Sequence, residues 1–243
     1  MKPHYYNEIN PFCAAWLRNL IAAGHLPAGD VDERSIEDVE PDDVARYDQC
    51  HWFAGIGGWP LALRLARLSD ASGVWSGSPP CQDNSVAAAI HGGRDGLSGE
   101  RSGLAHRWLD LVEAKRPQGI LFENVPGIDP WLDQITGRLG QLGYRVRKSE
   151  RSSADVGAPH LRRRVWIVAD RGGQGLPKLR RPVAPAPYCD PRSAPPGDVF
   201  LSGPGRTRPV DDGLPSRVAG VHAYGNAIDP WAAADVLRQL EPA

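Results

Sequence analysis

Residues 48–59 read Asp-Gln-Cys-His-Trp-Phe-Ala-Gly-Ile-Gly-Gly-Trp, and residues 74–83 read Val-Trp-Ser-Gly-Ser-Pro-Pro-Cys-Gln-Asp. The apolar run 50–54 predicts a buried strand, the glycines a tight turn, and 59–68 a helix opening directly after them. Strand, glycine turn and helix in that order let a ligand approach the backbone closely, although a tight packing turn needs the same glycines. No lysine followed by serine or threonine closes the turn, so a triphosphate-gripping loop is disfavoured. Cys81 stands behind Pro79 and Pro80, which fix the backbone ahead of its thiol. Neighbouring amides or arginines would lower its pKa and make it a nucleophile; without them a free cysteine is a small buried hydrophobe.

Working outward, 11–24 places Phe12, Trp16, Leu20 and Ala23 on one helical stripe ending at a glycine. The acidic stretch 30–43 reads as loop with a short strand or turn. Further strands are expected at 73–78, 118–122, 144–149 and 164–169, and helices at 98–115, 129–142 and 230–240, the last with proline at its start. This alternation favours a mostly parallel sheet covered by helices. From 177 to 215 there are ten prolines, so extended loops are expected there, with order returning at 221–226.

A chain of 243 residues, 41% hydrophobic and 23% charged, holds one full α/β domain and a small appendage. No apolar run approaches the ~18 residues needed to span a bilayer, and residues 1–10 lack a signal-peptide pattern, so no membrane association is expected. Cys13, Cys50, Cys81 and Cys189 are far apart, which disfavours disulfides and a metal site and fits a reducing cytoplasm. Net charge is −1, but it is unevenly spread: residues 1–50 carry ten acidic and four basic side chains, residues 138–181 twelve basic and three acidic. A segment that basic either follows a phosphate backbone or forms a solvated arginine-rich face.

Leu121-Phe-Glu-Asn-Val-Pro126 places a carboxylate just past a buried strand, where α/β sheets present ligands. Partial burial raises the pKa of Glu123 toward neutrality, which suits proton exchange; a structural capping carboxylate is the alternative.

The ordered set Phe-Ala-Gly-Ile-Gly-Gly, Pro-Pro-Cys-Gln, Glu-Asn-Val, Gly-Ala-Pro-His-Leu-Arg-Arg-Arg-Val-Trp-Ile-Val and Gly-Asn-Ala-Ile resembles the DNA cytosine-5 methyltransferase family over residues 50–170 and 222–240. The resemblance implies a Rossmann-like methyltransferase fold, here truncated, with a small irregular target-recognition segment. It divides the chain into an N-terminal helical and acidic extension (1–48), a catalytic domain (49–170), a Pro/Gly/Arg-rich DNA-recognition segment (171–221) and a returning strand and helix (222–243).

In the family the thiolate matching Cys81 adds to carbon 6 of cytosine, while the glutamate matching Glu123 donates a proton toward nitrogen 3. Carbon 5 then becomes nucleophilic toward a methyl sulfonium. The arginines matching Arg162 and Arg164 hold the base and the thiolate region. The resemblance implies a duplex DNA substrate with the target cytosine flipped out. It also implies an S-adenosyl-L-methionine pocket lined by Phe53, Gly55, Ile56 and Gly58 and closed by Pro80, Leu104 and Asn226. The sequence leaves a protein partner unidentified.

The family normally carries a strand, a helix and another strand between the two loops, supplying acids for the donor's ribose and adenine. Here 22 residues, 59–80, intervene, enough for one helix and one strand. Asp70 is one substitute. The other is the N-terminal extension, through Asp30, Asp32 and Glu33, folding back to rebuild the wall. Two alternatives accommodate the gap: a pocket remodelled for 5,10-methylenetetrahydrofolate, giving hydroxymethylated cytosine, or a DNA-binding relic that holds no donor. His160 and Arg163 depart from the family's usual residues in the arginine loop, and Asp83 and Asn84 from those after the cysteine.

Overall fold

A computed structural model describes residues 3–68, 73–80, 100–158, 161–172 and 227–239, with the side chains of 100–102 left out. Its strands are β1 (His4–Asn7), β2 (Gly29–Asp32), β3 (Cys50–Trp52), β4 (Val74–Gly77), β5 (Gly119–Asn124), β6 (Tyr144–Ser152) and β7 (Arg163–Arg171). Its α-helices are α1 (Pro11–Ala22), α2 (Gly58–Leu65), α3 (Glu100–Lys115), α4 (Asp129–Gln141) and α5 (Pro230–Gln239). The described strands form one sheet in the order β2-β1-β3-β4-β5-β7-β6. Pairing from β2 through β5 is parallel, and β7 runs antiparallel to both β5 and β6.

The sheet is not truncated. The strand–helix–strand unit absent between the two loops stands at the start of the chain as β1, α1 and β2. Its first strand lies beside the glycine-turn strand, with Tyr5, Tyr6 and Asn7 paired to Cys50, His51 and Trp52. β1 is buried at all four positions and packs through rings, Tyr5 lying 5.3 Å from Trp52 and Tyr6 5.1 Å from His51. Both phenols are satisfied, Tyr5 donating to Asp32 at 2.7 Å and Tyr6 to the Pro27 carbonyl at 2.9 Å. Gly29 meets β1 so closely that a Cβ there would lie 2.2 Å from the His4 carbonyl oxygen.

α1 starts because Asn10 accepts hydrogen bonds from the amides of Phe12 and Cys13, with Pro11 preset for the first turn. It buries Cys13, Ala14 and Leu17, so its inward face is rotated from the expected stripe and leaves Phe12 and Trp16 half-buried. The alternation of β5 divides the core. Ile120 and Phe122 pack on one side with Trp108, Trp131 and Ile135 of α3 and α4. Leu121 packs on the other with Trp59, Leu63, Val236 and Leu237 of α2 and α5. Both β6 and β7 extend beyond the expected strands, their register running unbroken from Tyr144–Arg171 to Ser152–Arg163.

A polar chain crosses three parallel strands inside this core. His4 Nδ1 lies 3.2 Å from His51 Nε2, and His51 Nδ1 lies 2.8 Å from Ser76 Oγ. Burial, and secondarily the neighbouring His4, push the pKa of His51 well below the ordinary histidine value of 6.5. The unfolded chain therefore binds a proton at this residue that the folded chain refuses. Its contribution to stability is complete above the unfolded value and is lost as pH falls below about 6.5 toward the folded one. Urea midpoints measured from pH 8 to pH 5 are expected to fall on the acid side, and the fall is expected to shrink in His51→Asn.

Candidate active site

Four parallel strands end along one edge of the sheet, and each delivers a residue there. The glycine turn after β3 holds Phe53, Gly55 and Gly57 in left-handed conformations, with φ of 52°, 55° and 86°. For Phe53 this costs roughly 1 kcal/mol, since its Cβ crowds the following carbonyl. The glycines have different tasks. A Cβ on Gly57 would lie 2.6 Å from Leu26, and one on Gly58 2.5 Å from Ile228, so packing demands both. A Cβ on Gly55 meets nothing within 4 Å among the described residues, so these leave that side of the turn open to a ligand.

Glu8, immediately after β1, closes on this turn. Its carboxylate accepts the Gly55 N–H at 2.7 Å and the Asn10 N–H at 2.8 Å. Burial raises its pKa, with the two backbone hydrogen bonds opposing. Ile9 beside it is an exposed large hydrophobic, 63% accessible. The acids expected from the sequence each carry an ion pair: Asp30 with Arg46 at 2.8 Å, Asp32 with Arg34 at 2.7 Å and Glu33 with Arg18 at 2.7 Å. Sequence reasoning missed Glu8. The available signal was an aromatic run, His4-Tyr-Tyr-Asn7, ending directly in a carboxylate. Asp70 lies outside the described residues.

The second cluster forms where β4 and β5 end. Glu123 is 5% exposed and its Oε1 lies 2.8 Å from Arg164 Nε. Burial raises its pKa, opposed by the charges of Arg164 and Arg162 and by the Ser78 hydroxyl. Arg162 donates from Nη2 to the Ala227 carbonyl at 2.7 Å, tying the arginine loop to the start of α5. Asn124 donates from Nδ2 to the Pro79 carbonyl at 3.1 Å, fixing the chain two residues before Cys81. Ser78 Oγ accepts the indole N–H of Trp59 at 3.0 Å.

The structure thus brings Glu123, Arg162 and Arg164 together, and Phe53 and Gly55 next to Glu8. Pro80 is half-buried at the end of the approach to Cys81, and Leu104 and Phe53 pack on the larger core cluster. Ile56 and Gly58 line a cavity of about 350 Å³ shared with Leu26, Leu61, Ile228 and Pro230. Cys81, Asp83, Asn84, His160 and Asn226 lie outside the described residues, as does nearly all of the expected recognition segment and the strand expected at 221–226.

Much of the charge in the basic segment is consumed within the fold. Arg138 pairs with Asp110 and Glu113, and Arg147 with the buried Asp170 at 3.0 Å. Lys148 pairs with Asp129, Arg151 with Asp235, Arg163 with Glu150, and Arg164 with Glu123. Pairs of this kind compete with any phosphate that approaches them.

Residues 65–188 match the family model described as C-5 cytosine-specific DNA methylase. Among curated proteins, a type II methyltransferase of Methanothermobacter thermautotrophicus is 33% identical over 114 residues, 45% of this chain and 33% of that protein. A type II methyltransferase of Bacillus subtilis is 36% identical over 99 residues, covering 37% and 24% respectively. A type II methyltransferase of Xanthomonas oryzae is 28% identical over 157 residues, covering 62% and 32%. The chain spans about a third or less of the length of these relatives.

The contact between the glycine turn and Ile228 makes a direct prediction. Gly58→Ala is expected to destabilise the fold by about 1–3 kcal/mol through overpacking, read from urea midpoints. Adding Ile228→Ala is expected to recover part of that loss, a coupling that two independent substitutions do not show.

Proposed function

The chain belongs to the C-5 cytosine-specific DNA methylase family, and from that premise we propose that it transfers a methyl group from S-adenosyl-L-methionine to carbon 5 of a cytosine flipped out of duplex DNA. The observation that carries this reading is the buried Glu123–Arg164 pair, 2.8 Å apart, beside a chain segment that Asn124 ties down two residues before Cys81. It supplies an acid, a cation and the rigid approach to a thiol at one edge of the sheet.

The residues present suit the donor. The open side of Gly55 admits a ligand to the backbone, Glu8 offers a carboxylate for ribose hydroxyls, and Ile9 an apolar surface for a flat ring. Carboxylates at the end of the strand next to a glycine turn hold ribose in dinucleotide-binding sheets by the same geometry. The donor, when bound, contributes an electrophilic methyl group. The Cys81 thiolate adds to carbon 6 of the ring, and Glu123, whose pKa burial raises, donates a proton toward nitrogen 3. Arg164 stabilises the carboxylate left behind. Once carbon 5 carries the methyl group, a base removes its proton, the thiolate leaves carbon 6, and nitrogen 3 returns its proton to Glu123, which restores the aromatic ring. With the strand–helix–strand unit in the sheet, the missing wall that motivated a folate donor or a donor-free relic no longer does so.

DNA contact is assigned to the segment 171–221, which carries eight arginines and lysines against four acids. The paired cations of β6 and β7 are poorly suited to it.

Cytosine-containing duplex substituted with 5-fluorocytosine tests the chemistry, because fluorine at carbon 5 cannot leave as a cation and the adduct persists. A covalent protein–DNA complex that requires the donor is expected with the parent chain and is expected to vanish in Cys81→Ser; a donor-dependent complex surviving in that variant rules the mechanism out. Glu8→Ala is expected to weaken donor binding by about tenfold or more in calorimetry, the loss of a charge-assisted hydrogen bond, while circular dichroism stays unchanged. Removing residues 1–45 is the poorer test, because it deletes two strands of the sheet.

A further inference from the structure

The guanidinium of Arg162 reaches a segment 65 residues further along the chain, donating from Nη2 to the Ala227 carbonyl at 2.7 Å. Its own main chain is anchored, because the Arg162 carbonyl accepts the Ser153 N–H at 3.2 Å and β7 starts at the next residue. Residues 227–229 belong to neither helix nor strand, so no sheet ladder holds them in place. Ile228 is 8% exposed and packs with Trp59, Ala62 and Leu63 of α2. It lies so close to the glycine turn that a Cβ on Gly58 would be 2.5 Å from its Cγ1 and 3.1 Å from its carbonyl oxygen. Asp229 ends the segment by capping α5, its Oδ1 accepting the amides of Trp231 and Ala232 at 2.9 and 3.2 Å. Ile228 and Pro230 share the lining of the cavity of about 350 Å³ with Ile56, Gly57 and Gly58.

A hydrogen bond from a charged donor is stronger than one between neutral groups, and the rigid guanidinium fork makes it directional. A guanidinium carries five N–H groups, and the bond to Ala227 uses one of them. We infer that Arg162 is a positioning residue for the donor pocket: it clamps the Ala227 carbonyl, so that Ile228 stands against Gly58 and the cavity beside the glycine turn keeps its wall. The family likeness places this arginine with the base. The geometry gives its side chain a second task on the donor's side, which makes the grip on the donor depend on a residue that does not touch it. That consequence rests on S-adenosyl-L-methionine binding at the glycine turn as proposed above, whereas the clamp itself does not.

Two measurements on the full chain without DNA separate this role from any contact with the base. Hydrogen exchange read by mass spectrometry, with no donor present, is expected to quicken across 227–235 in Arg162→Ala while β4 and β5 exchange as in the parent. Calorimetry with S-adenosyl-L-methionine is expected to give a Kd raised about tenfold, the scale of one charge-assisted hydrogen bond. An arginine that only holds the base leaves that Kd unchanged, since no base is present. Arg162→Lys, which keeps a cationic donor on a long stem, is expected to restore part of both. Should Arg162→Ala unsettle the fold, Arg162→Gln, which keeps part of the stem but falls short of the carbonyl, is expected to give the same readings. Exchange across 227–235 equal to the parent's overturns the inference. So does a donor Kd within about twofold of the parent's, less than one hydrogen bond is worth. Should the parent chain itself bind no S-adenosyl-L-methionine, the reading of function fails and exchange alone decides the clamp: faster exchange sustains it, and unchanged exchange removes it.

Discussion

The parallel pairing of Tyr5, Tyr6 and Asn7 with Cys50, His51 and Trp52 is the contact on which the rest of the architecture rests. It gives the glycine-turn strand a neighbour on each side and buries the rings of both strands against each other. It also fixes where β1 stops, and so puts the Glu8 carboxylate on the Gly55 amide. Without it, β3 would present an unpaired edge in the middle of an aromatic core, an arrangement sheets avoid. The close contact at Gly29 locks β2 outside β1 and extends the same surface by one strand.

Among the described residues, peripheral ion pairs contrast with the buried pair of Glu123 and Arg164. Along β6, β7 and α4 the arginines and lysines meet carboxylates at or near the surface, where each pair is worth little individually and mainly cancels charge. Glu123 differs because taking a carboxylate out of water costs several kcal/mol, and its Arg164 partner offsets only part of this. The balance leaves the acid with a raised pKa.

Most of the sheet was legible because its strands are long enough to show apolar runs. Cys50–Trp52, Val74–Gly77 and Gly119–Asn124 fall where the sequence places them, and the helices after them follow with ends shifted by a few residues. β1 was not legible. Four residues buried on every side show neither alternation nor helical period, and histidine, tyrosine and asparagine do not announce a core strand. The inward face of α1 was misplaced because Cys13 and Ala14 are small enough to pack closely on the sheet, and Phe12 and Trp16 are not. For the site, the Glu123 and arginine positions could be read from motifs, but the choice among acids could not. Asp30, Asp32 and Glu33 pair with Arg46, Arg34 and Arg18, and those partnerships exist in space alone.

The strand–helix–strand unit of residues 4–32 closes most of its hydrogen bonds within itself, β1 to β2, and joins the remainder through a single strand face. Such a unit is transposable: a parallel sheet records who lies beside whom, and is indifferent to which piece the ribosome makes first. Two genes can therefore encode one pocket with its segments shuffled, and a comparison that proceeds in strict linear order will register kinship only downstream of the breakpoint. In this chain the match to the family begins at residue 65, after this unit and past the glycine turn.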